Sequence, residues 1–174
     1  MIEVGVQHDG PWDETADWRH LALEACASAL RQTPNGELID SPVTIEIAVK
    51  FAGNDEVQKL NAAYRGKDKP TNVLSFPMVQ RDMLAGLANS DDGEVLLGDI
   101  VLACGVCAKE AEAKGLSIDR HAAHLIVHGT LHLLGYDHEL GDADAEAMEA
   151  LERSALAAMG IADPYAEKHD IQEV

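Results

Sequence analysis

Five of the chain's eight histidines fall between His121 and His138, and their spacing constrains the local backbone more tightly than any other stretch. The core of the cluster reads His128-Gly-Thr-Leu-His132-Leu-Leu-Gly135-Tyr-Asp-His138. On a helix, residues four apart differ by about 40° and about 6 Å of rise, so His128 and His132 can reach one ion. A helix that simply continued would carry His138 about 15 Å along the axis from His128 and point it elsewhere. Gly135 resolves this, because glycine readily takes the left-handed conformation that ends a helix, and the chain can then bring His138 back. Three neutral imidazoles with an open fourth position are the ligand set of a catalytic zinc, one ion per chain, whereas structural sites are closed by four protein ligands. A competing reading makes His121, His124, His128 and His132 a solvated stripe opposite Ile118, Leu125, Ile126 and Leu133. The helix-breaking glycine between the second and third members of the trio favours the metal. His124, one turn before His128, is expected to support the ligands or to pack, not to bind the ion.

The spacing H-x3-H-x2-G-x2-H is shared with the metzincin peptidases, whose second motif position is a glutamate. Here that position is Gly129, which cannot abstract a proton from water as the glutamate does. The coordination pattern is present and the peptidase base is missing. Phosphodiesters are the natural alternative substrate, because a metal ion can activate water and neutralise charge on phosphoryl oxygens. Such a site needs a further cation. Arg65, Lys67 and Lys69 lie together in the turn Arg65-Gly-Lys-Asp-Lys-Pro70. Arg65 is the best candidate for a phosphate clamp, since its planar fork can contact two oxygens at once.

That basic turn stands out because 13 Lys and Arg face 31 Asp and Glu, a net charge of −18. A globally basic nucleic-acid coat is excluded, and an anionic membrane surface is a poor partner. No apolar run approaches the roughly 20 residues needed to span a bilayer. The N-terminus has neither the basic start nor the apolar segment of a secretory signal, so a cytoplasmic protein is expected. Three cysteines do not make a disulfide framework. Cys104-Gly-Val-Cys107 is a C-x2-C pair at a strand-to-helix junction, where thiol pKa values can be lowered, which invites thioredoxin-like redox chemistry, but packing is the expected role.

Alternating or β-branched runs predict strands at 2–6, 43–51 and 95–103, the last interrupted at Gly98-Asp99, with a short extended piece at 71–77. Helical patterns cover 13–31, 54–64, 107–114, 119–134 and 142–159, with Asn54 or Asp55 and Asp142 as caps, and 80–93 reads as loop. Without a regular βαβ beat the fold class is α+β: one domain over 1–162, a small mixed sheet packed with helices, and a polar tail over 163–174. Asp99 is either a buried structural carboxylate or a partner of the histidines, the structural role being favoured. Asp137 caps the turn after Gly135 or accepts a proton near the metal, capping being favoured. Glu146, Glu149 and Glu152 read as a solvated face of the last helix.

The run from His128 to His138 resembles the signature of the YbeY family, the bacterial rRNA-maturation endoribonucleases. Leu60-Asn61 with the segment from Tyr64 to Pro77 resembles that family's second block, Leu97-Gly98-Asp99-Ile100 a third, and Glu146 to Glu152 its last helix. The resemblance implies a small α+β domain, zinc held by His128, His132 and His138, and metal-dependent cleavage of single-stranded RNA, with Arg65 and His128 carrying the reaction. It also implies maturation of the 3′ end of small-subunit rRNA and ribosome quality control. The partners are then precursor rRNA, the small ribosomal subunit and its assembly factors, with neither DNA nor membrane. Two alternatives remain at this point: an assembly factor whose zinc is mainly structural, and a metal hydrolase of peptides or amides with a base supplied from elsewhere.

Overall fold

The central strand β2 (Thr44–Ala52) shows why the sheet forms: its β-branched residues alternate, and Ile45, Ile47, Val49 and Phe51 are buried on one face. In the computed structural model, which describes residues 1–9, 11–12, 16–87, 93–137 and 141–165, β2 pairs in parallel with β1 (Ile2–His8) and β4 (Glu94–Ala103). The edge strand β3 (Val73–Pro77) runs antiparallel to β4, which gives the order β1-β2-β4-β3. The chain is thus an α+β fold with a mixed sheet, as the sequence predicts. Gly98-Asp99 does not interrupt β4. The register instead slips between Glu46 and Ile47, leaving Leu97 as the extra residue of a bulge.

One face of the sheet is covered by α1 (Trp18–Arg31) and α5 (Ile118–Leu133). Small residues on α1, among them Ala22, Ala25, Cys26 and Ala29, are fully buried and allow a close approach, so that Thr130 Oγ1 lies 3.5 Å from Cys26 Sγ. Trp12, Trp18 and Phe51 close the core at one end, with ring centroids 5.0 Å apart. Gly129 sits where α5 meets β4: a Cβ there would stand 3.1 Å from Ile100 Cγ2. That position faces packed core, so any side chain there would have to displace Ile100.

The opposite face carries a smaller core of Ala52, Val57, Leu74, Val101 and Ala103 beneath α2 (Asn54–Arg65). Gly53 is the N-cap of α2, and Asn54 caps a different helix: its Oδ1 accepts from Val106 N, 3.1 Å away, in the first turn of α4 (Cys104–Lys114). The expected helix over 13–31 begins at Trp18, with Asp17 as its cap; 13–15 lie outside the described residues. The expected loop over 80–93 contains a helical turn, α3 (Leu84–Leu87), while 88–92 lie outside the described residues. The last helix, α6 (Asp142–Ala158), holds Asp142 inside its first turn and not at the cap, Gly141 taking that place. Of the expected tail, Asp163 to Tyr165 fold against α6, and 166–174 lie outside the described residues. Among the described residues no helix is long and apolar enough to cross a membrane.

Candidate active site

Helix α5 meets β4 where Gly129 lies against Ile100 and Leu133 against Gly98, and its histidines line a cleft of about 690 Å³ bordered by β3. His128 Nε2 and His132 Nε2 face each other across 3.1 Å, with ring centroids 4.6 Å apart and planes at 79°. The other nitrogen of His128, Nδ1, donates to Glu152 Oε1 at 2.6 Å. That bond fixes the tautomer: a neutral His128 whose Nδ1 carries the proton presents a bare lone pair on Nε2. Two nitrogens each about 2.0–2.1 Å from one tetrahedral ion lie roughly 3.3–3.4 Å apart. The observed pair is close to that spacing, so the two imidazoles fit a shared metal ion.

Helix α5 ends at Leu133, and Gly135 takes φ 94° as the chain turns away, with Tyr136 N bonded back to Leu131 O at 3.0 Å. This is the break the sequence predicts. His138, the expected third ligand, lies outside the described residues. Among the described residues no group of three or more His, Cys, Asp or Glu side chains is arranged to hold an ion.

Glu152 corrects the sequence reading. The spacing predicts a solvated stripe with Glu146 and Glu149, yet Glu152 is only 1% exposed. It shares the face of α6 that buries Met148, Ala155 and Leu156. Burial alone would push its carboxyl pKa up, but the hydrogen bonds from His124 and His128 and the charge those rings can carry hold it well below the usual carboxylate range. The signal was a charged residue at i+4 from Met148 and i−4 from Leu156, inside an apolar stripe.

The solvated-stripe reading of the histidines also fails. His124 is buried, with Nε2 at 3.6 Å from Glu152 Oε1 and 3.3 Å from the Tyr165 hydroxyl, one turn along α5 from His128. His121 is buried too, its Nε2 at 2.8 Å from Glu110 Oε1, while Asn72 Nδ2 donates to the same carboxylate. Burial lowers the His121 pKa, and the bond to Glu110 opposes that only in part.

Arg65, the last residue of α2, lines the same cleft as His128 and His132, although more than sixty positions separate them in sequence. Of the basic turn, Arg65 alone is in the cleft lining; Lys67 and Lys69 are exposed outside it, and Lys114 of α4, not singled out from sequence, joins the lining. Asp137 lines the cleft beside Gly135. Asp99 does not. It alternates with the core residue Ile100, faces the other side of the sheet and lines a second hollow there, so it cannot partner the histidines.

The sequence matches the family described as Endoribonuclease YbeY over residues 12–160. The chain belongs to that family. A curated member from Rhizorhabdus wittichii, named Endoribonuclease YbeY, is 59% identical over 170 residues, covering 98% of this chain and all of the relative (100%). One of the same name from Sphingopyxis alaskensis is 55% identical over 97% of this chain and 99% of its own. A solution structure from Thermotoga maritima, 22% identical, superposes with a TM-score of 0.52 over 90% of this chain and 91% of that one, which shows a shared fold.

Proposed function

We propose that this chain is a zinc-dependent endoribonuclease that cuts single-stranded RNA and acts in the cytoplasm on the 3′ end of small-subunit rRNA and in ribosome quality control. The observation that carries the reading is the facing pair of His128 and His132 Nε2 atoms, 3.1 Å apart, in a cleft that Arg65 also lines. The relatives' name, Endoribonuclease YbeY, supplies the substrate class.

His128, His132 and His138 would hold the ion. Zinc bound there supplies Lewis acidity, lowering the pKa of water and neutralising charge on a phosphoryl oxygen. The chain's own residues do the rest. Glu152 keeps the proton of His128 on Nδ1. Arg65 offers a planar fork to two oxygens of the scissile phosphate and stabilises charge that grows in the transition state. Gly129 leaves no carboxylate where a metzincin has its base, which disfavours peptide hydrolysis.

With net charge −18, phosphate contacts away from the cleft are few, and affinity gained by counterion release scales with the phosphates neutralised. Ribosomal proteins of the small subunit or assembly factors therefore deliver the RNA. Tight unaided binding to arbitrary RNA at physiological salt contradicts that part.

The test is cleavage of a fluorescent single-stranded RNA by wild type, Arg65→Ala and His132→Ala, each checked for folding. Cleavage by wild type alone supports the reading. Equal cleavage by all three indicates a contaminating nuclease and removes it. A 2′-deoxy nucleotide at the cut site then separates attack by water from attack by the 2′-hydroxyl: only the second route is blocked.

A further inference from the structure

Beyond the matched family segment, which ends at residue 160, the chain folds back over the site and delivers Tyr165. The Tyr165 hydroxyl donates to Glu152 Oε2 at 2.5 Å, while Glu152 Oε1 accepts from His128 Nδ1 at 2.6 Å. A carboxylate gripped at both oxygens cannot swivel, so the direction of the His128 Nε2 lone pair is set by Tyr165 as well as by Glu152. The hydroxyl oxygen also lies 3.3 Å from His124 Nε2, and the two rings meet edge to face at 5.6 Å and 85°.

Tyr165 is itself anchored. The Arg153 guanidinium lies over its ring at 5.2 Å, and Arg153 Nε reaches Asp163 Oδ2 at 3.3 Å. Asp163 Oδ1 in turn accepts from Tyr165 N at 2.8 Å. One turn of chain after α6 is thus tied down at both the ring and the backbone, with its hydroxyl aimed at a buried carboxylate.

We infer that Tyr165 is a positioning residue for metal binding: through Glu152 it holds His128 in the orientation that receives the ion. This rests on the zinc reading above. A purely packing role needs the ring, whereas positioning needs the hydroxyl, and Tyr165→Phe separates the two.

Metal-free, full-length wild type, Tyr165→Phe and Asp163→Ala are titrated with Co2+, followed by its visible absorption, and with Zn2+ against a chelator. Thermal unfolding of the metal-free forms is recorded alongside. Loss of a direct partner of a metal-bound histidine costs about 10–100-fold in affinity, so a residue one bond further out is expected to cost about 3–10-fold. Tyr165→Phe should bind more weakly by that factor, with an altered Co2+ spectrum and a near wild-type unfolding midpoint. Asp163→Ala should show a smaller loss of the same kind. Wild-type affinity and spectrum in Tyr165→Phe overturn the inference alone, and if that variant does not fold, wild-type affinity in Asp163→Ala does so. Failure of the wild type to take up either metal overturns the zinc reading and the inference together.

Discussion

The cysteines of α4 and the histidines of α5 invite the same reading, since each pair stands on one helix at a spacing suited to a shared ion. Their surroundings differ. His128 and His132 turn their Nε2 atoms toward one another, and a buried carboxylate behind His128 fixes its tautomer. Cys104 Sγ bonds to Pro11 O at 3.2 Å and Cys107 Sγ to Asn72 O at 3.7 Å, so each thiol is spent on a different backbone carbonyl. The start of a helix should favour thiolates. Burial outweighs it, together with Glu110 and Cys104 nearby, and pushes the Cys107 thiol up to about 12; burial also raises Cys104. Spacing proposes a site, and the atoms behind the ligands decide whether one exists.

The largest effect expected from breaking the contrast is at His132. His132→Ala should lose more than about 100-fold in zinc affinity, exceeding the loss of an outer partner, and cleavage should fall to background. Cys104→Ser with Cys107→Ser should retain the wild-type metal content, measured as zinc per chain after gel filtration.

Next comes Arg65, which lines the cleft of the histidines. Arg65→Ala should lower kcat/KM for RNA by about 10²–10³-fold, the usual cost of one donor to transition-state charge, with zinc content unchanged. Arg65→Lys should recover only part, because a point charge cannot reproduce the two-pronged contact.

Glu152→Gln sharpens the comparison from behind the histidines. Zinc affinity should drop about 10–100-fold, while Glu146→Gln, on the exposed face of the same helix, should leave it alone. Equal effects from both variants would return Glu152 to the solvated stripe.

The smallest effect on activity belongs to the cysteines, where pH is the informative variable. With its pKa near 12, about one Cys107 in ten thousand is a thiolate at pH 8, so iodoacetamide should label it far more slowly in native than in urea-unfolded protein. The sign for stability follows from the same shift. Folded and unfolded thiols are both protonated below the ordinary value of 9.0; above it the unfolded thiol ionises first, so stability is lost progressively up to about pH 12. Rapid native labelling of Cys107 at pH 8 would contradict its burial.

Much of this was legible in the residues. Alternation in β2, the i,i+4 histidines and the helix-ending Gly135 are local signals, each set by a short-range periodicity or a backbone preference. Arg65 was visible as a cation in an acidic chain, but its place in the cleft depends on α2 ending beside the edge strand. Glu152 misleads because three glutamates at helical spacing look solvated until the apolar residues sharing the face of the third are counted. Tyr165 could not be read at all. Its role depends on a reverse fold of the chain after α6, held by Arg153 and Asp163, and no periodicity encodes that.

X-ray absorption at the zinc edge of the purified protein tests the central claim most directly, because nitrogen and sulfur ligands scatter at different distances. The account predicts a first shell of light atoms at about 2.0–2.1 Å with imidazole character and no sulfur. Sulfur at about 2.3 Å would hand the ion to the cysteines and contradict it.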